Sequence, residues 1–307
     1  MKQLTYILIL FLLASCAKEE IISTTSRNGL VIGYSKASQL DTGAASHVVV
    51  NHSTAQVATS ATWLKLNNWH TQAMYTPQQQ YYITAPINDQ FGADKGKVYR
   101  RDMLSGQSQV FQALNNEVST HLTYSPAAAK KYVIQVDTVK ECEFNVNTNK
   151  MIFLNNYPGL GCGNNPYTYS STAHGYLPYM YIGCGQTIRR LDINSGVYTT
   201  ITSSLPADIY GLRYNLHDSL VYGIRNGNGT LFLVSYNPIT NVIDDKVVEI
   251  KDEQFVSAET YSATIHCCEN TYIFYQDNKW YNINITTKTV QKITTDKVYQ
   301  GLIWIND

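Results

Sequence analysis

Six ring-bearing side chains recur at one position in successive repeats of this sequence. Each comes directly before a short run of β-prone residues, and the first three are histidines whereas the last three are tyrosines. In chain order they are His70, His121, His174, Tyr210, Tyr261 and Tyr299. Imidazoles can hold a transition metal, and tyrosines can stack on a flat ligand and donate a hydrogen bond. If the repeats converge on a common axis, these six side chains predict a ligand-binding site at its mouth.

Three interpretations of this ring of side chains remain open. In the first, the rings only fill a wedge-shaped gap between repeats. In the second, they bind a small molecule or a glycan. In the third, the neutral imidazoles of His70, His121 and His174 hold one divalent transition metal and leave a position open for catalysis. Against the third, the histidines come from separate repeats and show no short His-x-x-His spacing.

The elements that must position these side chains are short β-meanders. The clearest covers residues 261–294, which read as four strands joined by tight turns without helical periodicity. Five such repeats, spaced by roughly 40 to 50 residues, can be followed from about residue 70 onwards. One meander buries too little apolar surface to be stable alone, so the copies must stack on one another.

The two ends of the chain predict how the repeats close. Residues 29–69 contain a sixth, poorly matched set of strand-like segments, and residues 301–305 form a last strand with no meander after it. Pairing this strand with the amino-terminal ones closes a circle and leaves no open sheet edge. The sequence therefore predicts an all-β fold, a β-propeller over residues 29–307. We expect six four-stranded blades, or seven if residues 29–69 hold more strands.

The amino terminus predicts export. A short basic start precedes an apolar run, residues 4–14, which is too short to span a bilayer and suits a signal peptide. The run ends in Leu-Ala-Ser-Cys, which resembles the lipobox of bacterial lipoproteins. The resemblance implies removal of residues 1–15 and lipidation of Cys16. The alternative is an ordinary signal peptide in which Cys16 is incidental.

The residues after the lipobox read as a tether. Residues 16–28 comprise the lipidated cysteine and a charged, serine- and threonine-rich linker. Their Ala-Lys-Glu-Glu segment resembles the surface-export signal of some Bacteroidetes lipoproteins, although a solvated tether would have the same composition. These resemblances imply a lipid-anchored protein of the outer membrane that is exposed at the cell surface if the export signal operates.

Composition narrows the possible partners. Lys+Arg and Asp+Glu number 23 each, so the chain has no basic excess for a nucleic acid. It also contains no serine nucleophile elbow, no phosphate-binding glycine loop and no His-Glu-x-x-His motif. The leading expectation is therefore a binding protein without a cofactor rather than an enzyme.

Five cysteines remain after Cys16, and some of them can pair as disulfides. Export permits disulfides, and the odd number leaves at least one thiol free or paired between molecules. Cys162 and Cys184 lie in neighbouring glycine-rich segments and are the predicted pair. Cys267 and Cys268 could form a vicinal disulfide or stay as thiols, and Cys142 is unassigned.

Together these features predict a lipid-anchored propeller that binds a glycan, a peptide or a partner protein at the cell envelope. One alternative is a metal-assisted enzyme, a polysaccharide lyase or hydrolase that uses the histidines. Propeller lyases that act on oligogalacturonate do use histidines around a metal, but none of their motifs is present here. The other alternative is a scaffold subunit of an outer-membrane complex.

Overall fold

The computed structural model describes most of the chain after the tether. The described residues are 30–36, 44–65, 73–84, 96–113, 121–135, 137–162, 169–202, 204–254 and 261–305. They belong to one compact unit, Gly29–Ile305. The predicted lipobox, the predicted tether and His70 lie outside the described residues. Within those residues, every regular element is a β-strand, and there is no helix that could cross a membrane.

The strands are arranged in consecutive four-stranded meanders, numbered here in chain order. The first sheet contains β1 (Leu30–Lys36), β2 (Ala44–Asn51), β3 (Gln56–Lys65) and the last strand of the chain, β24 (Val298–Trp304). The second meander consists of β4 (Ala73–Thr76), β5 (Gln80–Thr84), β6 (Lys97–Asp102) and β7 (Ser108–Ala113). The third consists of β8 (His121–Ser125), β9 (Lys130–Gln135), β10 (Thr138–Asn145) and β11 (Lys150–Pro158). A short parallel pairing between β7 and β11 joins these two into one eight-stranded sheet.

Three further four-stranded sheets complete the fold. They are β12 (Tyr169–Ala173), β13 (Tyr179–Cys184), β14 (Thr187–Asp192), β15 (Tyr198–Thr202); β16 (Ile209–Tyr214), β17 (Val221–Asn226), β18 (Thr230–Asn237), β19 (Val242–Lys251); and β20 (Ser262–His266), β21 (Thr271–Gln276), β22 (Lys279–Asn284), β23 (Thr289–Thr294). The described strands thus form six meanders, and the prediction of an all-β propeller is confirmed.

Side-chain acceptors close the hairpins before the outer strands. The Oδ1 atom of Asp192 accepts the amides of Asn194 (2.9 Å) and Ser195 (3.2 Å), and Asn237 does the same for the turn that follows β18. Such turns let the chain reverse without leaving amide groups unpaired. Both turns have the sequence pattern Asp/Asn-x-x-Ser/Thr, which is typical of tight turns.

Closure of the fold comes from pairing between the two ends of the described chain. Strand β24 runs antiparallel to β1, from Val31 opposite Trp304 to Lys36 opposite Val298. The innermost strands β4, β8, β12, β16, β20 and β24 each contact the next, and β24 contacts β4. The inner strands therefore form a closed circle, as the unpaired carboxyl-terminal strand predicted.

Hydrogen bonds show that neighbouring inner strands run in the same direction. Ser262 Oγ accepts the amide of Leu302 at 2.8 Å, and two residues further along Thr264 Oγ1 accepts the amide of Trp304 at 2.7 Å. The inner strands thus all begin at one end of the circle and finish at the other, which decides which side chains share a surface.

Buried tyrosines connect one meander to the next at two glycines. Tyr272 on β21 donates its hydroxyl to the carbonyl of Gly211 (2.6 Å), and Tyr81 on β5 donates to the carbonyl of Gly301 (2.7 Å). Both glycines have positive φ, 64° and 58°, and a Cβ at either position would collide with the tyrosine hydroxyl. Glycine therefore permits the close approach of a tyrosine to the inner strand.

Candidate functional site

The inner strands enclose a cavity of about 260 Å³, which we call the hub cavity. All six strands contribute to its wall, among other residues through Tyr75, Tyr124, Ala173, Tyr214, Ile265 and Trp304. Residues that are far apart in the chain therefore meet around one axis, as closure of the circle requires. A concave site of this kind is where propellers and other closed β-folds can hold a ligand.

The hub cavity lies at the carboxyl ends of the inner strands. Its wall includes Pro126, Gly175, Leu216 and Cys267, each of which belongs to the turn after an inner strand. The predicted ring of six side chains was instead expected at the amino ends. The cavity that the structure describes is thus at the opposite end of the inner strands from the predicted site.

The serine and threonine hydroxyls of the cavity wall are already used within the fold, whereas the buried Nε1 of Trp304 has no hydrogen-bond partner in the described structure. The hydroxyls of Thr123 and Ser171 bond to each other at 2.6 Å, and Thr172 Oγ1 accepts the amide of Tyr214 at 3.0 Å. The hydroxyl of Thr264 likewise accepts the amide of Trp304. What remains for a ligand is mainly aromatic and aliphatic surface.

Arg213 is the only charged side chain among the described residues of the cavity wall. Its Nε donates to the carbonyl of Ala263 (2.9 Å) and its Nη1 to the carbonyl of Leu212 (2.8 Å). Burial lowers the pKa of this guanidinium. Arg213 therefore ties β16 to β20 in addition to lining the cavity.

Leu216 of the cavity wall is exposed, and so are Tyr176 and Leu177, which follow the wall residue Gly175; we call these three side chains the apolar rim. Tyr176 is 69% exposed, Leu177 44% and Leu216 39%. They belong to two neighbouring turns, since a Cβ on Gly175 would lie only 2.5 Å from Leu216. Contiguous exposed apolar surface next to a cavity is typical of an interaction site.

Four of the predicted ring residues do lie at the amino ends of inner strands. His121 is the first residue of β8, Tyr210 and Tyr299 are the second residues of β16 and β24, and Tyr261 directly precedes β20. All four are buried. The rings of Tyr210 and Tyr261 meet edge to face with centroids 5.7 Å apart.

Tyr299 occupies a packed environment away from the hub cavity. Its ring meets those of Tyr275 (5.6 Å) and Trp280 (5.7 Å), and its hydroxyl donates to the carbonyl of Ala55 at 3.1 Å. The hub cavity wall, as described, includes none of the predicted ring residues. A role for them at the amino-end face stays a prediction.

His174 was placed at the wrong end of its inner strand. The sequence predicted a strand after His174, but the inner strand is β12, Tyr169–Ala173, and His174 follows it. The amides of Tyr176 and Leu177 both donate to His174 Nδ1 at 3.1 Å, and its own amide donates to the carbonyl of Tyr179 at 2.9 Å. His174 is thus the acceptor of a turn.

This placement rules out a metal shared by His121 and His174. Thr123 on β8 lies beside Ser171 on β12, because their hydroxyls are hydrogen-bonded. His121 comes two residues before Thr123, and His174 comes three residues after Ser171. The offset of five residues corresponds to roughly 16 Å along the strands, whereas ligand atoms of one zinc ion lie about 3.3 Å apart. The structure therefore does not bring His121 and His174 together, and His70 lies outside the described residues.

A different group of titratable side chains comes together, which we call the His-His-Glu cluster. His52 lies in the turn between β2 and β3, His266 ends β20, and Glu269 lies in the turn that follows. The three can offer ligand atoms within 4.8 Å of one another. His52 Nε2 is 3.3 Å from the Glu269 carboxylate, and His266 Nε2 is 4.0 Å from it.

The two imidazoles of this cluster are buried and the carboxylate is exposed. The imidazole centroids are 4.7 Å apart, and His266 also packs against Trp304 at 4.9 Å. Burial lowers the pKa of His266, an effect that the charge of Glu269 opposes, so the ring is neutral at pH 7. Because Trp304 lines the hub cavity, the cluster borders the cavity wall.

Sequence reasoning missed this cluster because its parts are distant in the chain. His52 belongs to the poorly matched amino-terminal segment, and His266 lies more than 200 residues later, within the clearest repeat. The one local signal was the spacing of His266 and Glu269, three residues apart across a turn. Nothing in the sequence placed His52 beside them.

The five cysteines that the structure describes divide into one bonded pair and three thiols. In the structure Cys162 and Cys184 form a disulfide, whereas Cys142, Cys267 and Cys268 are free. Burial is the main reason that the pKa of Cys267 is raised to about 11, and the neighbouring Cys268 raises it further. Cys267 is therefore a protonated, unreactive thiol at neutral pH.

Comparisons with known proteins identify the fold but no family. No protein-family model matches this chain, and no curated protein matches it. Among solved structures, a chain of a nidogen/laminin complex is similar with a TM-score of 0.64 and 8% sequence identity, over 90% of this chain and 98% of that chain. Matches extend to 1043 chains, so the fold is too common to indicate one activity. The likeness shows a β-propeller and leaves the function to be argued from its sites.

Proposed function

We propose that this protein is a lipid-anchored binding module of the outer membrane that receives a bulky apolar side chain of a partner protein in the hub cavity. Cys16 would carry the lipid, and residues 17–28 would hold the propeller away from the bilayer. The cavity and the apolar rim would together form the contact surface.

The observation that carries this proposal is the chemistry of the hub cavity. Its wall is aromatic and aliphatic, and the exposed Tyr176, Leu177 and Leu216 continue that surface outwards. The energetic centres of protein interfaces are buried aromatic and aliphatic anchors that fill a pocket, surrounded by contacts that exclude water. A central cavity with an apolar rim fits such an anchor.

A glycan is favoured less by the same observation. Sugar hydroxyls need several hydrogen-bond partners in a binding site, and the hydroxyls of Thr123, Ser171, Thr172 and Thr264 are already engaged. A lyase or hydrolase would need an acid or base beside its substrate, and the described cavity wall offers no histidine or carboxylate. The similar nidogen/laminin structure is itself a protein complex, which agrees with a protein partner.

Peptide display against the purified protein tests the proposal. Enriched peptides should carry a Trp, Phe or Leu anchor, and Leu216→Glu should weaken their binding at least about 30-fold because a charge would enter the apolar contact. Ile239→Glu is the matched control, since Ile239 is 82% exposed in the turn after β18, outside the cavity wall. It should leave binding unchanged.

Two results would contradict the proposal. One is equal loss of binding in both variants, since that would indicate a general surface effect. The other is the absence of anchored peptides together with binding of an oligosaccharide that Leu216→Glu abolishes, which would favour the glycan alternative. Thermal unfolding of both variants should match the wild type and shows that the fold is intact.

A further inference from the structure

We propose that His52, His266 and Glu269 bind one divalent transition metal ion of the zinc type. This site is separate from the hub cavity, and it replaces the histidine triad that the sequence suggested. Two imidazole nitrogens and one carboxylate oxygen favour zinc and its neighbours over calcium or magnesium, which prefer all-oxygen sites.

The spacing of the three side chains suits tetrahedral coordination. Ligand atoms around one zinc ion are separated by about 3.3 Å. His52 Nε2 and the Glu269 carboxylate already have this separation, at 3.3 Å, and His266 Nε2 is 4.0 Å from the carboxylate. Because Glu269 is exposed and lies in a turn, its side chain can make the remaining adjustment.

Buried ring nitrogens without partners provide an independent indication of a ligand. Within the described structure, His266 Nε2 and His52 Nδ1 are both buried with no hydrogen-bond partner. His266 is only 1% exposed, and its unpartnered nitrogen faces the carboxylate. A buried polar atom left unsatisfied is costly, and a metal ion at this point would satisfy His266 Nε2.

One hydrogen bond must change when the metal binds. The amide of Glu269 donates to His266 Nδ1 at 3.1 Å, so the neutral ring carries its proton on Nε2. Coordination through Nε2 moves that proton to Nδ1, by exchange with water, and the Glu269 amide then turns away. Losing one such hydrogen bond weakens metal affinity by about tenfold or less, which is small beside the gain from a third ligand.

The surroundings leave room for a fourth ligand. His52 and Glu269 line a pocket of about 240 Å³, together with Asn284, Thr289 and Gln291. As described, the pocket wall contains no lysine or arginine that would repel a cation. Three protein ligands and an open position facing a polar pocket are the arrangement in which zinc keeps a bound water or a ligand oxygen.

The metal would connect two sheets of the propeller. His52 belongs to the sheet that contains both ends of the described chain, and His266 and Glu269 belong to the sheet of β20. The bonds to the metal are therefore present only in the folded protein, so the ion should stabilise it. The turn of Glu269 also contains Cys267, which lines the hub cavity. Metal binding should therefore affect the position of this part of the cavity wall.

Zinc titration of matched histidine variants tests the site. The parent protein and each variant derived from it carry Cys268→Ser, so that the exposed thiol cannot serve as a metal ligand. His266→Asn removes the ligand but keeps a turn acceptor, as Asn215 does in the turn after β16, where it accepts the amide of His217 at 3.1 Å. His174→Asn makes the same change in a turn that has no metal cluster.

Calorimetric titration with Zn²⁺ should find one ion per chain, with a raised unfolding temperature, in the parent protein and in His174→Asn. Affinity should fall at least about 100-fold in His266→Asn, and Glu269→Gln should weaken it in the same direction. Equal affinity in His266→Asn and the parent, or no binding by the parent, would overturn the proposal. Leu216→Glu should bind zinc normally, which separates this site from the proposed partner site.

Discussion

The turn after β12 and the turn after β20 contain a histidine in the same structural role. His174 Nδ1 accepts the amides of Tyr176 and Leu177 at 3.1 Å, and His266 Nδ1 accepts the amide of Glu269 at 3.1 Å. Each ring also packs against an aromatic residue of the next inner strand. The centroid distances are 4.4 Å from His174 to Tyr214 and 4.9 Å from His266 to Trp304.

What differs between the two turns is the neighbouring sheet. His266 meets His52, which comes from the turn between β2 and β3, and it is followed three residues later by Glu269. His174 is followed three residues later by Leu177, and its described ring contacts are Tyr176, Tyr181 and Tyr214. Position within the repeat sets the structural role of the histidine, whereas the adjacent sheet sets its chemistry.

The largest difference in stability between the two regions should come from their cysteines. The β12 sheet has the disulfide between Cys162 and Cys184, which joins residues 22 positions apart in the sequence, whereas Cys267 and Cys268 of the β20 sheet are free. We expect Cys162→Ser combined with Cys184→Ser to lower the free energy of unfolding by about 3 kcal/mol, from the entropy of a loop of this length.

Urea unfolding measures this loss, with Cys268→Ser as the control because its side chain is exposed and unbonded. The control should change the free energy of unfolding by less than about 0.5 kcal/mol. If both proteins unfold at the same urea concentration as the wild type, the two sheets do not differ in this way.

A smaller effect should come from removing the turn acceptors. In the metal-free protein, His174→Ala and His266→Ala should each lower the free energy of unfolding by about 0.5–1.5 kcal/mol for every turn amide that loses its acceptor. Asparagine at either position should recover part of the loss, since its Oδ1 can accept the same amides. Urea unfolding of the four variants checks this, and equal stability of Ala and Asn variants would show that only ring packing matters.

The smallest effect should be a pH dependence that belongs to His174. Burial lowers the pKa of this imidazole, so the unfolded chain, with a pKa of about 6.5, binds more protons than the folded protein at mildly acidic pH. The free energy of unfolding should therefore decrease as pH falls from about 6.5 towards the lower pKa of the folded state, by at most about 1.4 kcal/mol per pH unit.

The comparison of wild type with His174→Asn isolates this contribution. Between pH 7 and pH 5 the variant should lose less stability than the wild type when both are unfolded in urea. If both proteins lose the same stability, protonation of His174 does not destabilise its turn, and asparagine can replace this histidine at any pH.

Local features of this fold were predictable because local interactions produce them. Runs of alternating and β-branched residues form the strands. Asp192 and Asn237 close their hairpins by accepting the amides two and three residues ahead. Closure by β24 was also predictable, since a last strand without a meander needs a partner. The register of His174 was not, because a turn acceptor and the residue before a strand have the same appearance in a sequence rich in Tyr, Ser and Gly.

The sequence by itself determined that this chain consists of β-meanders that close on themselves, and its resemblance to a lipobox around Cys16 is the basis for the predicted membrane anchor. Only the tertiary structure decided which side chains share a surface: the inner strands enclose the hub cavity at their carboxyl ends, and His52 meets His266 and Glu269. The physical reason is that strand and turn formation depend on residues close in the chain. Contacts across the circle depend on the packing of whole sheets, which no local pattern encodes.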